Sequence, residues 1–132
     1  MSAARLNLFQ RAILHWRTLH PYCAAHVVAS PRPLDRERLR ASIAGVLEAC
    51  GLTGFTLDAQ RSRYAFAGGP AHVDLAVLEA SKDAFDVAGD EIRTSINRAF
   101  PSDGAFDPFR FFAVPDGTCE LYRNVLRLHS FI

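Results

Sequence analysis

Between positions 107 and 132 the chain carries two strand-like runs, 107–114 and 118–132, separated by Pro115-Asp116-Gly117. Proline presets φ for the first turn position and glycine accepts a positive φ at the last, so the stretch predicts a β-hairpin. Its second strand is still apolar at Phe131-Ile132. A terminus usually tapers into polar residues that fray in water, so the expectation is of a piece of something longer that stops at its site.

The rest of the chain reads as helices and strands that would pack with this hairpin. Leu6, Phe9, Ile13 and Trp16 recur at helical spacing with Arg5, Gln10, Arg11 and Arg17 on the other side, which predicts an amphipathic helix closed by Pro21. Its apolar stripe is expected to cover a sheet. Residues 22–29 form a run of small and β-branched residues without breakers, read as a buried strand. After a turn at Ser30-Pro31-Arg32-Pro33, Asp35 is placed to cap a second helix, whose inner face carries Leu39, Ile43, Leu47 and Cys50 and whose stop is Gly51. Short strands follow at 54–57, 63–67 and 72–78, with breaks at 58–62 and at Gly68-Gly69-Pro70. A third helix is expected over 82–100, with Phe85, Ala88, Ile92, Ile96 and Phe100 in line, Gly89 weakening it and Pro101 ending it. Ser102-Asp103-Gly104 reads as loop.

The order α-β-α-β-β-β-α-β-β, without repeats or an internal linker, implies a single α+β domain over 1–132, a two-layer sandwich with helices on one face of a mainly antiparallel (mixed) sheet. At 132 residues the chain can bury a core without metals or disulfides, and its 49% hydrophobic content argues against disorder. A formal charge of +1, with fourteen arginines scattered rather than clustered, gives no pull toward nucleic acid. No apolar run approaches a membrane span. Cys23, Cys50 and Cys119 are an odd number without a close pair, read as buried thiols in a reducing, cytoplasmic setting.

Several constellations invite chemistry. His20, Cys23 and His26 are spaced like ligands, but they cross a helix end into a strand, and no second cluster completes a metal site. Gly68-Gly69-Pro70 lacks the lysine and hydroxyl of a phosphate loop, so no cofactor-binding motif is expected there. Phe106, Phe109, Phe111 and Phe112 read as core rather than as a stacking platform, since no basic residues surround them. His129 lies in a strand with neither face cleanly apolar, where a histidine is either a satisfied interior residue or a proton acceptor whose partner acid is not visible.

The order of elements and several local phrases resemble the N-terminal half of a chloramphenicol-acetyltransferase-like acyltransferase, the superfamily that includes peptide-synthetase condensation domains. Leu6-Asn7-Leu8-Phe9-Gln10 through Trp16 is similar to its opening helix, positions 23–30 and then Leu34-Asp35 to its first strand and the turn and helix after it, and Phe106-Asp107-Pro108-Phe109-Arg110 to the phrase that precedes its closing hairpin. In the family that hairpin leads to the motif His-His-Xaa-Xaa-Xaa-Asp-Gly. Here the stretch reads Leu128-His129-Ser130-Phe131-Ile132. If His129 matches the second, catalytic histidine, Ser130-Phe131-Ile132 fill the three variable positions and the aspartate would follow Ile132; if it matches the first, Ser130 stands at the catalytic position. The first register is preferred because it leaves a competent base. Residues 48–55 depart from the His-containing, Arg-rich phrase that condensation domains carry there, which favours a divergent acyltransferase over a peptide-forming member.

The resemblance implies general-base catalysis by His129. The acyl donor would be an acyl-CoA or acyl-carrier-protein thioester, the acceptor a hydroxyl or amine, and no tightly bound cofactor or metal would be needed. It also implies a missing partner, a C-terminal half or a second subunit that supplies the other wall of the substrate channel, so that this chain alone would be inactive. The competing expectation is a non-catalytic α+β binding or assembly module that self-associates through the sheet edge ending at Phe131-Ile132.

Overall fold

The computed structural model describes residues 2–16, 19, 24–28, 34–79, 83–115 and 126–130, with Ala24 and 126–130 described by backbone alone. The elements run β1 (Ser2–Arg5), α1 (Leu8–Trp16), β2 (Ala24–Val28), α2 (Arg36–Ala49), β3 (Phe55–Asp58), β4 (Arg63–Phe66), β5 (Leu75–Val77), α3 (Ala84–Ile96), β6 (Gly104–Ala105), β7 (Phe109–Ala113) and β8 (Leu126–Ser130).

Helix α2 starts and stops where its sequence dictates. The Asp35 carboxylate accepts the Arg38 backbone N–H at 3.0 Å, satisfying one of the orphan donors of the first turn. At the other end Gly51 takes φ +67°, its N–H reaches the Glu48 carbonyl at 3.0 Å, and the Leu52 N–H reaches the Leu47 carbonyl at 2.8 Å. These two bonds are a Schellman closure, which needs a residue free of the Cβ clash at that φ. Helix α3 begins on Asp83, whose carboxylate accepts the Phe85 N–H at 2.8 Å.

The strands form two four-stranded sheets, β1-β4-β3-β6 and β2-β8-β7-β5, antiparallel throughout except for the parallel pair of β5 and β7. This is the expected α+β class with a mainly antiparallel, mixed arrangement. Alternation along β7 places the helices: Phe111 and Ala113 pack with Ile43, Leu47 and Leu75, whereas Phe112 and Val114 pack with Ala84 and Ala88. Helix α2 therefore covers one face of β7 and α3 the other. On the first sheet Leu6, Phe55, Leu57 and Phe66 make a separate core, and Leu52 touches both this cluster and the one under α2.

The structure corrects several expectations. Two strands were not legible: β1 precedes the first helix and pairs with β4, and β6 falls where a loop was predicted and pairs with β3. Helix α1 buries no residue, and Phe9 and Trp16 of its apolar stripe are exposed; Leu6, just before the helix, is the residue that enters the core. Strand β2 is described over Ala24–Val28, and its described side chains are exposed, Val27 and Val28 included, because α2 packs elsewhere, on β5 and β7. Cys50 is the exposed C-cap of α2 rather than a buried thiol, since the chain leaves the helix there; Cys23 and Cys119 lie outside the described residues. Helix α3 is shorter than 82–100, running unbroken through Gly89, and Phe85 on its first turn is exposed.

The closing pair is antiparallel as expected, but its register is not that of a tight turn. Phe112 stands opposite Arg127, whereas a turn centred on Asp116 would have set it opposite Glu120. Asp116 and Gly117 of that predicted turn lie outside the described residues.

Candidate functional site

Strand β8 lies between β2 and β7, paired on both sides over residues 126–130. The expectation that this strand offers a docking edge therefore fails over those residues; Phe131 and Ile132 lie outside the described ones. His129 stands opposite Arg110 on β7 and Ala25 on β2, and Ser130 stands opposite Phe109 and Ala24. Direct partners in an antiparallel ladder share a face. Position 129 is thus on the face of Arg110 and Phe112, the α3 side, while position 130 is on the face of Phe109 and Phe111, against which α2 packs.

On the α3 side the residue directly opposite that position on β7 is charged. Arg110 Nη1 donates to the Arg98 carbonyl at 3.1 Å and Nη2 to the Ala99 carbonyl at 3.3 Å, and the guanidinium carbon sits 4.0 Å from the centroid of the buried Phe100 ring. Both carbonyls lie just past the end of α3, where the helix dipole is negative, so a guanidinium there is favourable. Just before β5, the Asp74 carbonyl accepts the Phe111 N–H at 3.1 Å. A cavity of about 160 Å³ opens here, lined by Asp74, Ala76, Glu91, Ser95, Arg98 and Arg110 among others. Within it the Ser95 hydroxyl donates to Glu91 Oε1 at 2.8 Å.

A second constellation was not legible. His72 Nδ1 lies 2.7 Å from Asp107 Oδ2, both exposed, on the rim of a cavity of about 180 Å³ lined by Thr53, Gly54, Gly68 and Pro108 among others. His72 read as the opening of a strand and Asp107 as part of the closing hairpin; 35 residues separate them, and no local signal pairs them. The cavity owes its shape to close backbone approach, since a Cβ at Gly54 would come within 2.7 Å of the Gly68 carbonyl oxygen.

Among the described residues no three His, Cys, Asp or Glu side chains converge as a metal site would require. His26 sits exposed on β2, while His20 and Cys23 lie outside the described residues. The described part of Phe106, Phe109, Phe111 and Phe112 is core, with Phe111 and Phe112 buried and the other two packed against the clusters. No helix among the described residues is long and apolar enough to cross a membrane.

No protein-family profile and no curated protein matches the sequence. Solved structures do. The tallysomycin biosynthesis protein TlmII superposes with a TM-score of 0.73 at 19% identity, over 98% of this chain and 33% of its own. The starter condensation domain of the rhizomide synthetase RzmA gives 0.74 at 15% identity, over 98% and 32%. The first condensation domain of the CDA synthetase gives 0.73 at 14% identity, over 98% and 35%. The chain spans about a third of the length of these neighbours. Nearly all of it has the α+β fold found over that third of a condensation domain.

Proposed function

We propose that the chain is the part of a condensation-type acyltransferase that carries the proton acceptor, and that His129 is that acceptor. What supports the reading above all is the fit of 98% of the chain to condensation-domain structures, combined with the place of His129 near the end of an interior strand. A strand paired on both sides fixes its backbone, as general-base catalysis needs. The ladder also bears on which residue acts. Position 129 stands directly opposite the charged Arg110, and position 130 opposite Phe109 on the face packed under α2, so His129 rather than Ser130 is assigned the base.

In the proposed reaction the imidazole takes a proton from an acceptor amine or hydroxyl as its nitrogen or oxygen attacks the carbonyl of an acyl thioester. A new C–N or C–O bond forms, the C–S bond breaks, and the thiolate leaves to be protonated. Donor and acceptor must be held together, and that positioning supplies much of the rate. One third of a condensation fold provides one wall for this; a complementary part, in the same or another polypeptide, would provide the other. Acyl-CoA or carrier-protein thioesters are the donor class, and no bound cofactor enters the chemistry.

The test is acyl transfer by the protein expressed from its full reading frame, followed as thiol release from an acyl thioester in the presence of an amine. His129→Ala is expected to lower the rate by about 10²–10⁴. Ser130→Ala is expected to leave it nearly unchanged. Equal rates in His129→Ala and wild type would refute the assignment of the base.

A further inference from the structure

Position 129 and Arg110 are direct partners across the β7–β8 ladder, and such partners have Cβ atoms about 4.5–5.5 Å apart. The guanidinium of Arg110 reaches the carbonyls of Arg98 and Ala99 and the face of Phe100. It stays charged at any pH a protein meets, and like charges at directly opposite positions of a ladder disfavour each other. We infer that Arg110 is a positioning residue for the base. Anchored on the carbonyls that follow α3, it keeps the imidazole at position 129 uncharged near neutral pH, and so able to accept a proton. The inference rests on the reading of His129 as the base.

The surrounding charges can be assigned element by element. On β8 itself Arg127, two residues back and opposite Phe112, occupies the same face and adds charge of the same sign. Strand β2 places uncharged Ala25 opposite position 129 and Val27 on the diagonal, with His26 at the alternate position. Helix α3 and the residues after it bring Arg98 and, opposing it, Glu91; the segment leading into β5 brings Asp74, one strand further out than Arg110. By register, the two charged groups nearest position 129 are arginines.

The experiment is a pH titration by NMR of protein labelled at histidine Cε1, with the His129 signal assigned, among the five histidines, by its loss in His129→Gln. In wild type the midpoint is expected below the ordinary histidine value of about 6.5. Arg110→Met should raise it by about one pH unit, while Arg110→Lys, which keeps the charge, should leave it close to wild type. A midpoint unmoved in Arg110→Met, or moved as far in Arg110→Lys, overturns the inference. Should Arg110→Met fail to fold by circular dichroism, wild type decides: added salt should raise the midpoint as the guanidinium is screened, and a midpoint that does not rise overturns the inference. Acyl transfer is not read in this experiment. A protein that shows the shifts yet transfers no acyl group would refute the base reading alone.

Discussion

At the scale of single residues, backbone geometry decides where side chains are forbidden. Gly51 and Gly54 both hold a left-handed φ, +67° and +65°, but Gly51 faces open space while a Cβ at Gly54 would meet the Gly68 carbonyl oxygen at 2.7 Å. Gly51→Ala is therefore expected to cost about 1–2 kcal/mol, the conformational penalty alone. Gly54→Ala should cost more than that, with the difference read from urea denaturation midpoints. Asp58 shows a charge effect of the same local kind. Its carboxylate accepts the Arg61 backbone N–H at 2.9 Å and lies 3.2 Å from the Arg61 guanidinium, and these bonds, the backbone one foremost, hold it below its ordinary value. A lowered native value stabilises the fold above the unfolded-state value, and that contribution disappears as the pH falls through the native one. In Asp58→Asn the acid side of the stability profile should be shallower than in wild type; the same slope in both would show that the bonds do not couple to folding.

At the scale of elements, the core separates what packing holds from what it leaves open. Leu57 is 1% exposed within the aromatic cluster of the first sheet, so Leu57→Ala should cost about 2–5 kcal/mol. Phe9→Ala, on the uncovered stripe of α1, should stay within about 0.5 kcal/mol in this chain. Helical periodicity foretold α1, and nothing in that periodicity says whether a stripe will find a cover. The helices α2 and α3 and the strands β3 and β4 were legible because caps, breakers and alternation agree there, as at Asp35 and Gly51. Strand β1 was not: Ser2-Ala3-Ala4-Arg5 has little intrinsic strand preference and is a strand through its ladder with β4. Strand β6 is two residues held by β3 alone. The register of the closing pair was also illegible, because a Pro-Asp-Gly turn signal marks a break without fixing which residues face each other beyond it.

At the scale of the whole molecule, two sheets, a helix on each face of β7 and a third of a condensation fold put His129 near the end of a strand paired on both sides. The histidine itself could be singled out from sequence, since a terminal strand with mixed faces and a family-like phrase drew attention to it. Its neighbours could not. Arg110 lies nineteen positions earlier and meets position 129 only through the observed register, and His72 meets Asp107 only through the close packing of two loops. Long-range pairing of this kind is a property of the sheet rather than of any window of sequence.

The most direct test of the account compares thiol release from an acyl thioester by wild type and by His129→Ala, each expressed from the full reading frame with an amine acceptor present. The account predicts transfer in wild type and a loss of about 10²-fold or more in the variant. Transfer that persists undiminished without the imidazole would contradict it.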